Sequence, residues 1–259
     1  MAERTVWFDA ALLADGWAED VSVVVEGGLI RSVTTGTRRG EHIAGAALPG
    51  LPNLHSHCFQ RGMAGLAERR GPTGDSFWTW RQVMYRFNGL LDPDDVEAIA
   101  AMAMVEMLEG GFTSLAEFHY LHHGPDGRAY ANPAELGARI VAAAAETGIG
   151  LTLLPVFYAH SGFGGAAPNE GQRRFITSLD GFAALHAAAA KAVRALPGGQ
   201  IGIAPHSLRA VTPDELSALL AAHREGPVHI HVAEQTAEVE ACVAWSGQRP
   251  VDWLLGQQP

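Results

Sequence analysis

Two short clusters in the 259-residue chain carry residue types capable of metal chemistry: His55-Ser56-His57, and His229-Ile230-His231-Val232-Ala233-Glu234. Side chains on a strand alternate faces with a period of two, so His55 and His57 share a face and can share one ion. A third histidine, His231, completes a nitrogen-rich set suited to Zn²⁺ or a similar borderline metal. Glu234, just past the end of its strand, is placed to take a proton from activated water and hand it to a leaving group. Read alone, an H-x-H is ordinary polar surface and Glu234 is the first acidic residue of a helix, favoured by its dipole. The two clusters together favour a site.

Arg81, Tyr120, His206 and Arg209 form a third set, suited to an anionic substrate. A single arginine is usually solvated surface. Two at one mouth of an acidic chain point to carboxylate recognition, where bidentate guanidinium pairing is strongest. The aromatics of Phe77-Trp78-Thr79-Trp80-Arg81 read equally as a packed lid or as a subunit contact, the latter in keeping with a homodimer. His119, His122, His123 and His160 follow later strands as loop residues, one of which could line the site; His42, His186 and His223 are background. Cys58 points away from the face of His57 and is not counted as a ligand, and a Cys–His nucleophile lacks an orienting third group.

The elements that must hold these residues change character near residue 48. Residues 1–48 read as a small β domain, with strands at 5–13, 21–25 and 29–33 between the turn signals Asp15-Gly16 and Gly27-Gly28. From 49 to 259, apolar strands at 51–57, 113–118, 151–158, 201–205 and 228–232 alternate with Ala-rich helices at 93–109, 133–147, 179–196 and 213–223. Asp92-Pro93, Asn132-Pro133 and Thr212-Pro213 each place a capping oxygen before a proline at the first helical position. Glu135 and Glu215 stand at the capping-box position, and Gly110-Gly111 and Gly148 supply stops. This alternation means right-handed βα units and an α/β fold with a parallel sheet. A doubly wound sheet and a TIM-like (β/α)₈ barrel both accommodate it. The lack of a Gly-rich phosphate turn weakens the nucleotide-binding version, and polar residues gathered at the C-terminal ends of strands are what a barrel site requires.

Composition narrows the partners. Hydrophobic residues are 47% and charged residues 18%, enough for a sizeable core. A net charge of −10 supplies no broad basic footprint for nucleic acid or an anionic membrane. No apolar run approaches the ~18 residues of a membrane span. Two cysteines make no disulfide framework, and the N-terminus has no apolar stretch behind a basic start, so a cytoplasmic setting is expected.

The run from Leu48 to His57 (LPGLPNLHSH), followed by a His-x-x-Glu after a later strand, resembles the amidohydrolase superfamily. Segments 53–65 (NLHSHCFQRGMAG), 75–86 (DSFWTWRQVMYR), 116–120 (AEFHY) and 229–235 (HIHVAEQ) resemble, more narrowly, the formimidoylglutamate deiminases. The resemblance implies an amidohydrolase-type barrel, here about its first five βα units, and one zinc held by His55, His57, His231 and an aspartate from a later strand. It implies Glu234 as the proton shuttle, with a further histidine from a sixth strand. It also implies that Gln60, Arg81, Tyr120, His206 and Arg209 bind a small substrate with two carboxylates, N-formimino-L-glutamate, which is hydrolysed to N-formyl-L-glutamate and ammonia in histidine degradation. The later histidine and aspartate are not in these residues. The chain therefore reads as C-terminally shortened by three barrel strands, and residues 1–259 alone are expected to bind zinc weakly and deiminate little. Two alternatives stay open: a zinc-dependent deaminase of a purine or other heterocycle, which gives the two arginines nothing to pair with, and an inactive fragment of the deiminase.

Overall fold

In the computed structural model, residues 3–67 and 76–256 are described; Asp75 of the 75–86 segment and the terminal Gln257-Gln258-Pro259 lie outside them. The chain divides into two units, Met1–Leu51 and Pro52–Pro259. In the first, β1 (Arg4–Leu13) turns into β2 (Gly16–Glu26), and β2 into β3 (Leu29–Thr34), both pairs antiparallel. The second turn is Gly27-Gly28 at φ +61° and +81°, the left-handed pair that suits a two-residue hairpin between twisted strands. A further strand, β4 (Glu41–Ala47), pairs parallel with β1 and completes the sheet order β3-β2-β1-β4. Sequence reading missed β4 because EHIAGAA lacks the β-branched enrichment that marks a strand. Asp9 of β1 ties it down instead, accepting the Gly45 N–H at 2.7 Å and the His42 ring N–H at 2.9 Å.

The second unit is the expected α/β architecture of barrel type. β5 (Leu51–Ser56), β6 (Phe112–His119) and β7 (Gly150–Phe157) lie side by side, with β6 and β7 parallel from Ser114↔Gly150 to His119↔Pro155. Between and after them run α1 (Phe77–Asn88), α2 (Pro93–Glu109), α3 (Glu135–Thr147), α4 (Leu179–Val193) and α5 (Pro213–Ala222). Asp92 and Thr212 cap α2 and α5 as their sequences suggest, each with a reciprocal bond from the third helical residue. α3 departs from expectation. The Asn132 side chain accepts the Ala134 N–H at 3.1 Å, so Pro133 sits in a turn and the helix starts at Glu135 without a side-chain cap. α1 and two late helices, α6 (Thr236–Ser246) and α7 (Pro250–Gly256), were not foreseen. Phe59, Phe118, Met104, Leu136, Ile140 and Leu153 form the centre of the main core. No described helix is long and apolar enough to cross a membrane.

The last two expected strands are corrected. Residues 201–205 split into β8 (Gln200–Ile201) and β9 (Ala204–Pro205), both parallel to β7. The break falls where the backbone faces two ways: Gly202 N–H donates to Leu153 O at 3.0 Å, and Ile203 N–H donates to Pro227 O at 3.1 Å. Segment 228–232 is no continuous strand. It makes two parallel bridges, Ile203↔Val228 and Ser207↔His231. The pairing offset falls by one residue between them, an irregularity of the β-bulge kind that re-aims a side chain at a sheet edge.

Gly202 allows the close approach of these two backbones. A Cβ there would overlap the Pro227 carbonyl oxygen and lie 2.8 Å from Leu154 Cδ2. Gly202→Ala should therefore cost ~1–3 kcal/mol, the scale of overpacking a tight core. The loss is read as a lower urea midpoint at constant m-value; an unchanged midpoint would contradict this account of the break.

Candidate metal centre

The ends of β5 and β6 and the bridge at His231 bring three imidazoles together. His55 Nε2 lies 3.1 Å from His57 Nε2 and 3.1 Å from His231 Nε2. One ring nitrogen from each residue falls within 4.8 Å of the other two. Phe118 is the hub of this arrangement. Its ring stacks on His231 at 4.3 Å and touches His55 and His57 at 5.3 Å each. Its carbonyl accepts the His57 Nδ1–H at 2.9 Å. A carbonyl can only accept, so the proton is on Nδ1 and His57 presents an Nε2 lone pair to the cluster.

Burial keeps these rings neutral. It lowers His57 to about 4 against a weaker opposing pull from the Phe118 carbonyl. It lowers His231 to about 3, with the neighbouring His57, His55 and Arg209 acting in the same direction. His55 is also lowered, first by burial and then by His229. Three neutral imidazoles crowded nitrogen to nitrogen have more lone pairs than protons to place between them. A divalent cation satisfies that donor set, so the residues fit a metal.

Glu234 and Arg209 stand beside the cluster. Glu234 lines a cavity of about 510 Å³ with His55, His231 and Phe118. Burial raises its pKa, and Arg209 opposes the rise. Ala233, between His231 and Glu234, has φ +59°, a left-handed conformation that a non-glycine residue adopts at a cost. Glu234 follows this residue and shares the cavity lining with His231. Arg209 Nη2 is 3.4 Å from Glu234 Oε2, and Arg209 Nε is 3.5 Å from the buried Glu238. Both contacts are long, which leaves other guanidinium donors for a ligand. Arg209 and Glu238 also line a cavity of about 540 Å³ walled by Phe77, Trp78, Phe163 and Trp245.

The remaining expected residues fall around this centre. Gln60 Nε2 donates to the Tyr120 hydroxyl at 2.7 Å, and the Tyr120 ring packs edge-on to His57 at 5.2 Å. His206 lies 5.0 Å from His231 and 4.4 Å from Tyr158, ring to ring. Arg81 stacks over Trp78 and Tyr85 at 4.6 and 5.5 Å, and its charge reaches both His206 and Glu234. The other strand-end histidines do not join the cluster. His122 and His123 bond backbone carbonyls of Val156 and Ile176, and His160 bonds Glu215. Sequence reading missed Phe118, Ala233 and Glu238. Phe118 had a signal, since Ala116, Phe118 and Tyr120 share one face by period two.

Buried neutral imidazoles have a consequence in acid. His57, His119, His122 and His231 have native pKa values near 4, 4, 3 and 3, well below the unfolded value of ~6.5. Below that value the unfolded chain binds protons the native chain refuses, so stability falls as pH falls from ~6.5. Glu117, raised by burial to about 7, and Glu234 act with the opposite sign and offset part of this. The urea midpoint of the metal-free chain should decline between pH 6.5 and 4.5; a flat midpoint would contradict neutral burial.

Comparisons with known proteins identify the family. Residues 46–256 match the amidohydrolase family, and residues 3–40 match the N-terminal domain of formimidoylglutamate deiminase HutF. A formimidoylglutamate deiminase of Pseudomonas aeruginosa is 50% identical over 96% of this chain and 56% of its own length. A 5-methylthioadenosine/S-adenosylhomocysteine deaminase of Shouchella clausii is 28% identical over 90% of this chain and 49% of its own. A crystal structure of an amidohydrolase from Brucella melitensis superposes with a TM-score of 0.95 at 56% identity, covering 98% of this chain and 57% of that one. The chain thus spans about half the length of the relatives it matches. With most of its length matched and its histidines converging at strand ends, the chain belongs to the amidohydrolase family.

Proposed function

We propose that the protein deiminates formimidoylglutamate, the reaction its Pseudomonas aeruginosa relative is named for, hydrolysing N-formimino-L-glutamate to N-formyl-L-glutamate and ammonia in histidine degradation. One observation carries the reading: a three-imidazole cluster and a carboxylate, Glu234, sit one ion pair away from a largely buried arginine, Arg209. A substrate with a hydrolysable amidine at one end and carboxylates at the other matches that spacing of functions.

His55, His57 and His231 are proposed to hold the metal, with Zn²⁺ the cation best suited to three imidazoles. When bound, such an ion supplies Lewis acidity, bringing the pKa of water that reaches it down to ~7. Glu234 takes a proton from the water that attacks the formimino carbon and delivers it to the imino nitrogen, then takes the proton of the new hydroxyl and passes it to the same nitrogen, so that NH3 leaves and a C=O replaces C=NH. Its raised pKa brings its affinity for that proton closer to what two transfers near neutrality need. Arg209 and Arg81 are proposed to hold the two carboxylates. Tyr120, fixed by Gln60, and His206 wall the reacting end. The Phe118 carbonyl keeps His57 in the tautomer that ligates.

Kinetics test this directly. A form spanning the full length of the relatives, loaded with zinc, should release ammonia from N-formimino-L-glutamate and leave 5′-methylthioadenosine intact. Arg209→Ala should lower kcat/KM by roughly ten- to a hundredfold, corresponding to ~1.5–3 kcal/mol for a lost charge-assisted contact. Unchanged kcat/KM would remove Arg209 from recognition. Deamination of the purine nucleoside at a comparable rate would favour the heterocycle reading.

A further inference from the structure

The first turn of α6 breaks its own capping rule. Gln235 is the N-cap residue, yet its side chain makes no capping bond. Glu238 is the third residue of the helix, where a carboxylate normally returns to the N-cap N–H. Its Oε2 reaches one residue further back instead and accepts the Glu234 N–H at 3.1 Å. The same oxygen is 3.5 Å from Arg209 Nε. Glu238 is 3% exposed, and its Oε1 is buried without a hydrogen-bond partner.

For stability alone this arrangement is poor. A buried carboxylate with one hydrogen bond, one long ion pair and one unsatisfied oxygen is costly to desolvate and recovers little of that cost from its contacts. An ordinary acidic residue in a first turn sits in water and gains from the helix dipole. Glu238 is buried where it touches the two groups that the proposed reaction uses. It also anchors the far side of the strained turn at Ala233, whose φ of +59° requires something to over-determine it.

We propose that Glu238 is a positioning residue: a single buried carboxylate that holds Glu234 through its backbone N–H and Arg209 through its charge, registering the proton shuttle against the anion clamp. This rests on the function proposed above for those two residues. Glu238 touches no reacting atom, and its effect passes through its two partners. Its two contacts can be separated chemically. Glu238→Gln keeps an oxygen for the Glu234 N–H and removes the charge facing Arg209. Glu238→Met removes both while filling similar space.

The experiment compares wild type, Glu238→Gln, Glu238→Met and the exposed control Glu240→Gln, each in a form spanning the full length of the relatives and zinc-loaded. It measures KM and kcat for N-formimino-L-glutamate, the urea midpoint, and amide exchange at Glu234 by NMR. Glu238→Gln should raise KM about tenfold with kcat within about threefold of wild type, and keep the Glu234 amide protected. Glu238→Met should also lower kcat about tenfold or more and lose that protection, and it should lower the urea midpoint, since it leaves the Arg209 guanidinium without its buried partner. Glu240→Gln should match wild type throughout. A wild-type KM in Glu238→Gln, or a Glu234 amide equally protected in Glu238→Met, overturns the proposal. If the wild type releases no ammonia, the assigned reaction fails, and amide exchange alone still decides whether Glu238 holds Glu234.

Discussion

The hydrogen bond from His57 Nδ1 to the Phe118 carbonyl is the contact on which the centre depends. It is a main-chain acceptor at the end of a central strand, so neither its position nor its chemistry can drift. By holding the proton on Nδ1 it turns the other nitrogen of His57 into a lone pair facing His55. The same residue stacks its ring on His231. Phe118 thus sets the tautomer of one imidazole and the plane of another. Three neutral rings facing one another can share at most one proton, on His55 Nε2, between the other two lone pairs, whereas a cation takes all three nitrogens, and that is what fits them to a metal.

The fold delivers these groups by regular and irregular means together. β5 and β6 are ordinary strands, and period-two alternation places His55, His57 and Phe118. The backbone of the segment carrying His231 pairs through two bridges with a slipped register, and Glu234 follows a residue with positive φ. Irregular backbone of this kind is costly and clusters at functional sites. Here it lies between His231 of the imidazole cluster and Glu234, the proposed proton carrier. Arg209 joins them electrostatically, being close enough to moderate the upward pull of burial on Glu234.

Much of this was legible in the residues. H-x-H on a strand, a second histidine pair ending in a glutamate, and proline-opened helices at 93 and 213 each follow local rules, and local rules survive folding. β4 was missed because an Ala- and Gly-rich strand is held by Asp9 and His42, contacts that only tertiary structure creates. The cap at Asn132 failed because that side chain had a nearer N–H to bond. Segment 228–232 looked like a strand from its alternation, but alternation says nothing of register slip against a neighbour. Alanine at 233 carries no mark of a left-handed conformation, and Glu238 resembles any first-turn acidic residue until its burial is seen.

X-ray absorption on the zinc-loaded protein tests the central claim most directly, because it reads the ligands themselves. The arrangement of His55, His57 and His231 predicts three imidazole nitrogens at ~2.0–2.1 Å with the multiple-scattering signature of histidine, falling to two in His231→Ala. A sulfur shell at ~2.3 Å, or an unchanged histidine count in His231→Ala, would contradict it.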